Sequence, residues 1–132
     1  MKVLKSGSKS KIFVYLSNLG ATGLLAFPNF DFMYADELIK VFKTMQEKKL
    51  YGEMVVYVEG SEAATVFKGL LPGDGMNILV LAATDSMENS FATYCYPNDM
   101  VMGKHIGTCL GDVFTANFIE DTMSSDPKKE TL

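Results

Sequence analysis

The sequence predicts an α/β fold, a mostly parallel sheet flanked by helices, and three observations predict it. The runs at 12–16, 54–58 and 77–83 are apolar almost throughout and rich in β-branched residues. Continuous rather than alternating apolarity marks strands buried on both faces, as in parallel sheets under helices. Between these runs lie stretches with helical spacing, giving the order strand, helix, strand, helix, strand. Finally, 132 residues with 48% hydrophobic and 21% charged side chains suit one globular domain and not a disordered chain.

The first strand, 12–16 (IFVYL), follows a polar segment and breaks at Ser17-Asn18-Leu19-Gly20, a loop signal. A short strand at 24–27 is stopped by Pro28-Asn29. A helix over 34–48 follows, because Tyr34, Leu38, Val41, Phe42 and Met45 share one face. Asp36 and Glu37 in its first turn and Lys48 and Lys49 at its end suit the helix dipole. That face is read as core. The strand at 54–58 runs into Glu59-Gly60-Ser61, a second helical stretch covers 62–68, and Pro72-Gly73-Asp74-Gly75 is a turn before the strand at 77–83. Residues 97–107 read as an irregular loop and 112–120 as a helix with Phe114 and Phe118 on one side. The expected domain is 1–123, with 124–132 a polar tail.

Composition excludes several classes. A net charge of −4 and a pI near 4.9 leave no basic stripe, so nucleic acid is not an expected partner. No apolar run reaches the ~18 residues of a membrane span, so no membrane partner is expected, and no signal-peptide pattern follows the N-terminus. These features alone place the chain in the cytosol. No metal-ligand spacing and no phosphate-binding glycine loop occur, so no metal and no cofactor are expected. Cys95 and Cys109 stand 14 positions apart, which fits neither a zinc site nor a CxxC pair; two reduced thiols and one disulfide both remain open.

Sites in such sheets form at the carboxyl ends of strands. Two strand ends stand out, Asn18-Leu19-Gly20 and Glu59-Gly60-Ser61. Ser61, at a strand-to-helix turn, is placed like a nucleophile, but its residues read first as an N-cap before an alanine-rich turn. The one histidine, His105 in GKHIG, reads as a solvated loop residue. Single acidic residues such as Glu59, Glu88 and Asp112 read as surface or capping groups, or as the lining of a pocket for a basic or amide substrate.

The blocks KIFVYLSNLGATGLLAFPN, YADELIKVF, MVVYVEGSEA, FATYCYP, TCLGD and IED carry more. In this order the chain resembles legumain, the asparaginyl endopeptidase family, and most of all the plant vacuolar processing enzymes. The likeness runs almost end to end. It implies a partial caspase-like sheet and a family that cleaves, or in some members ligates, after asparagine or aspartate. The family's Asp-His-Gly corresponds to Asn18-Leu19-Gly20, and its Glu-Ala-Cys-Glu-Ser-Gly-Ser to Glu59-Gly60-Ser61-Glu62-Ala63-Ala64-Thr65. The catalytic histidine and cysteine positions therefore hold Leu19 and Ser61, and only the oxyanion amides of Gly20 and Ser61 are kept. Of the substrate pocket, the resemblance assigns Glu59, Asn89, Ser90 and Asp112; the family's arginine and histidine come from a segment upstream of these blocks, and the expectation is a pocket without them. The resemblance also implies a Cys95–Cys109 disulfide and a vacuolar or lysosomal setting.

The expectation is a degenerate homologue without protease activity that binds Asn- or Asp-containing peptides or a legumain-like partner. The alternatives are an active Asn/Asp-specific peptidase or ligase using Ser61, and a nonfunctional gene remnant. Without the family's earlier strands and C-terminal prodomain, the sheet is expected to be partial, with an open apolar face and an unpaired edge.

Overall fold

The structure, a computed structural model, describes residues 5–69, 75–126 and 128–129. Most of the turn expected at 72–75 and part of the 124–132 tail lie outside them. The chain divides into two compact units, Met1–Asn89 and Ser90–Leu132.

In the first unit the elements run β1 (Lys11–Ser17), β2 (Leu19–Ala21), β3 (Leu24–Ala26), β4 (Phe32–Tyr34), α1 (Ala35–Glu47), β5 (Glu53–Glu59), a 3-10 turn (Ala63–Phe67) and β6 (Ile78–Ala82). The parallel sheet has the order β1-β5-β6. Its register sets Ile12, Val14 and Leu16 beside Met54, Val56 and Val58, and these beside Ile78, Val80 and Ala82. Side chains alternate along a strand, so these nine form one face. Leu38 and Phe42 of α1 and Val66 and Phe67 of the 3-10 turn join that face in the core. Each such side chain, fully buried, contributes about 1.5–3 kcal/mol.

Only the central strand meets the expectation of burial on both faces. In β5, Met54, Val56 and Val58 are buried on one face, and Tyr57 and Glu59 on the other. β1 alternates instead: Phe13 is 54% exposed, and Leu79 of β6 is 45% exposed. Among the described residues β1 and β6 have a strand neighbour on one side only, and a run of apolar residues there does not imply two covered faces. On the open face the rings of Phe13 and Tyr57 pack edge to face, with centroids 5.2 Å apart.

The loop expected after the first strand is largely strand. Leu19–Ala21 and Leu24–Ala26 form an antiparallel meander with β4, in the order β2-β3-β4. Gly23, with φ +70°, makes the tight turn between β2 and β3 that a residue with a Cβ adopts poorly. α1 starts one residue later than expected, at Ala35, with the Tyr34 amide donating to Glu37 Oε2 at 3.4 Å. Leu38 and Phe42 are buried and Met45 packs against the core, but Val41 lies at the rim and is 52% exposed. The second helical stretch, expected at 62–68, is only the five-residue 3-10 turn.

In the second unit, β7 (Ala92–Thr93), β8 (Met100–Val101), β9 (Lys104–His105) and β10 (Gly111–Asp112) precede α2 (Val113–Ser124). β7 and β10 pair antiparallel, as do β8 and β9, so the irregular loop expected at 97–107 contains a hairpin. Its two-residue loop escapes a periodicity reading because each strand is only two residues long. α2 begins at Val113 and ends at Ser124; Phe114 and Phe118 are half-buried, and no α2 residue is fully buried. Cys95 and Cys109 are joined by a disulfide.

Candidate functional site

The two strand ends singled out by the sequence meet in the first unit. β1 and β5 run parallel and in register to Ser17 beside Glu59, so both leave the sheet on the same side. The Asn18 amide then donates to the Glu59 carbonyl at 3.1 Å. Glycine is required at both exits. A Cβ on Gly20 would lie 2.1 Å from the Ser61 carbonyl oxygen and 2.9 Å from its nitrogen. A Cβ on Gly60 would lie 2.7 Å from the Asn18 carbonyl oxygen. The backbones of Asn18–Gly20 and Gly60–Ser61 thus touch without side chains between them.

Below this contact two buried threonines tie the turn. Thr84 Oγ1 donates to the Gly60 carbonyl at 2.8 Å and accepts from the Ala63 amide at 2.9 Å. Thr65 Oγ1 donates to the Glu62 carbonyl at 2.6 Å and accepts from the Gly23 amide at 2.8 Å, joining the β2–β3 turn to the 3-10 turn. Glu62 has φ +54° and takes a hydrogen bond from Thr22 Oγ1, while its amide donates to the Glu88 carbonyl at 2.8 Å. Neither threonine carries a sequence motif. A lone Thr at a strand end reads as surface, and only the long-range pairing reveals its place.

On this scaffold Leu19 is 75% exposed and Ser61 half-buried. The N-cap of the 3-10 turn is Glu62, so Ser61 stands one residue ahead of the cap that the sequence offered it. Glu59 is 1% exposed, and among the described residues no buried side-chain polar atom lacks a hydrogen-bond partner. Asn89 is exposed. A groove of about 820 Å³ runs along α1, lined by Tyr34, Ile39, Lys40, Lys43 and Lys68 among others; it includes none of Leu19, Gly20, Glu59 or Ser61.

Ser90 and Asp112 belong to the second unit. β7 and β10 bring their segments side by side: Asp112 pairs with Ala92, and the Val113 amide donates to the Phe91 carbonyl at 2.9 Å. Asp112 is the N-cap of α2, and both it and Ser90 are half-buried. His105 is not simply solvated. Its Nδ1 lies 2.6 Å from Oδ1 of Asp99, which is 1% exposed and also accepts from the Gly107 amide at 2.9 Å. The imidazole hydrogen bond and then the backbone amides hold the Asp99 carboxyl below its ordinary value, outweighing burial, which raises it. Sequence reasoning missed this pair, since Asp99 lies six residues from His105 with nothing to single it out. Among the described residues no group of three or more His, Cys, Asp or Glu could hold a metal ion.

A parallel sheet in the order β1-β5-β6 flanked by helices defines the class, an α/β protein. The Peptidase C13 family model matches residues 1–132, and the chain belongs to that family. It is 40% identical to the vacuolar-processing enzyme delta-isozyme of Arabidopsis thaliana over 99% of this chain and 28% of that protein. It is 37% identical to legumain of Canavalia ensiformis, over 99% and 27%. Identity to vacuolar-processing enzyme beta-isozyme 1 of Oryza sativa is also 37%, over 99% and 26%. The chain thus spans about a quarter of the length of the curated relatives it matches.

Proposed function

We propose that this chain is a proteolytically inactive member of its family that keeps a strand-end scaffold for binding Asn- or Asp-containing peptides or a legumain-like partner. The observation that carries the reading is the pair of side chains at the joined strand ends. Leu19 has no group that accepts a proton, and Ser61 has a hydroxyl where the family's motif has a thiol. A cysteine thiol, with an ordinary pKa of about 8.5, is a few per cent thiolate at neutral pH. A serine hydroxyl must pass its proton to a base as it attacks. Removing nucleophile or base from such a unit costs on the order of 10⁶ in turnover in a serine protease. The backbone contact between Gly20 and Ser61 supports retention of the amide positions without the reacting groups.

The Cys95–Cys109 disulfide favours an oxidising compartment, and the names of the relatives favour the vacuole over the cytosol. Labelling tests the inactive reading. The folded chain is incubated with a peptide electrophile carrying asparagine at its reactive end, and its intact mass is measured. No Ser61-linked adduct is expected; a stoichiometric adduct on Ser61 would overturn the reading and favour a live peptidase or ligase.

A further inference from the structure

The loop closed by the Cys95–Cys109 disulfide ends in a hairpin tip. Its register pairs Met100 with His105 and Val101 with Lys104, leaving Met102 and Gly103 as the two-residue turn. Both have positive φ, +49° and +79°, as a type I′ turn needs. Asparagine or glycine is the usual choice at the first of these positions, because a larger L residue is strained there. Met102 occupies it and is 100% exposed, so its side chain gains no packing in return. The base of the loop, by contrast, is fixed. The disulfide closes it, Asp99 takes hydrogen bonds from His105 and the Gly107 amide, and the Tyr96 ring lies against the His105 ring.

Charge is segregated in the same loop. The chain carries a net charge of −4, yet the only acidic residue between the two cysteines is Asp99, which is buried. No carboxylate faces water there: Tyr96, Met100, Val101, Met102 and Ile106 expose apolar or aromatic surface, Lys104 is the exposed cation, and Asn98, His105 and Thr108 are exposed and polar. Met100 and Val101 are adjacent strand residues, so they point to opposite sides of the hairpin, and both are 44% exposed. The apolar surface therefore wraps around the tip. An apolar tip open on both sides, with Lys104 beside it and no exposed carboxylate, matches the apolar boundary and the phosphates of a bilayer's interfacial layer.

We propose that the Met102 hairpin is a shallow anchor for a lipid surface, with the methionine tip at the acyl boundary, Tyr96 at headgroup depth and Lys104 toward lipid phosphates. Among the described residues no helix is long and apolar enough to cross a membrane, so the contact is peripheral.

The sequence contains no tryptophan, which makes the test site-specific. Full-length Met102→Trp is mixed with vesicles of phosphatidylcholine, alone or with phosphatidylserine, and its emission is recorded. Met87→Trp serves as reference, since Met87 is 94% exposed and lies in the first unit. The expected result is a blue shift of the Met102→Trp emission, larger with phosphatidylserine, with Met87→Trp unchanged. Lys104→Ala in the Met102→Trp background should remove the phosphatidylserine increment. In co-sedimentation of the otherwise unaltered chain, Met102→Asp should lower vesicle binding about tenfold. An unshifted Met102→Trp emission with both vesicles overturns the proposal and leaves the tip to a protein partner. A shift of equal size in Met87→Trp also overturns it, because it shows adsorption through the whole surface.

Discussion

Gly20 sits where two strand exits touch, with the Ser61 carbonyl oxygen 2.1 Å from the place a Cβ would take. No flexible side chain stands there to move aside, so Gly20→Ala must push apart the ends of β1 and β5. A loss of stability of about 1–3 kcal/mol is expected, read as a lower urea midpoint at unchanged slope. Gly7 or Gly111, with nothing within 4 Å of a Cβ, serves as the neutral comparison. Thr84 acts by hydrogen bonding instead. Thr84→Val keeps the shape but strands the Gly60 carbonyl and the Ala63 amide, at a cost of about 1–3 kcal/mol in thermal or chemical unfolding. Equal stability of Thr84→Val and wild type would refute that role. The glycine was legible in the sequence as part of a strand-end signal. The threonine was not, because its partners lie 21 and 24 residues away.

At the scale of elements, the long apolar strands and α1 were legible because each carries enough residues for a period to show. What escaped were the two- and three-residue strands. Leu19–Ala21 reads as a loop until Leu25 supplies its cross-strand partner at Gly20, and the β8–β9 hairpin reads as irregular until Asp99 closes it. Asp99 gives this element a pH dependence. Its carboxyl titrates below the ordinary value of 3.8 in the folded state, chiefly through the His105 hydrogen bond. The unfolded chain then binds the proton more readily, so the contribution is whole above the ordinary value and is lost as pH falls through the depressed folded value. Between pH 7 and 5 this carboxylate adds no pH dependence. The stability gap between wild type and Asp99→Asn should shrink in strong acid, as pH falls through the depressed folded value. A gap that instead closes between pH 7 and 5 would contradict the assignment, and thermal unfolding across a pH series measures it.

For the whole molecule, the α/β class and the family came from different layers of the sequence. Apolar runs indicated the sheet, while the ordered blocks from KIFVYL to IED indicated the ancestry, and the family match over residues 1–132 agrees with them. The open face of the sheet, with Phe13 54% and Leu79 45% exposed, shows why continuous apolar runs alone overstated burial. A globular hydrophobic fraction does not say how many faces of a sheet are covered. The pocket assignments of Glu59 and Asn89 in one unit, and Ser90 and Asp112 in the other, rest on the resemblance and belong to the proposal. The central claim, that Leu19 and Ser61 leave a scaffold without chemistry, is tested most directly by cleavage of an Asn-containing fluorogenic peptide. Wild type and Ser61→Ala are compared at equal concentration, each verified as folded, at acidic and neutral pH. The account predicts the same rate for both, equal to that of peptide alone; turnover by the wild type that Ser61→Ala abolishes would contradict it.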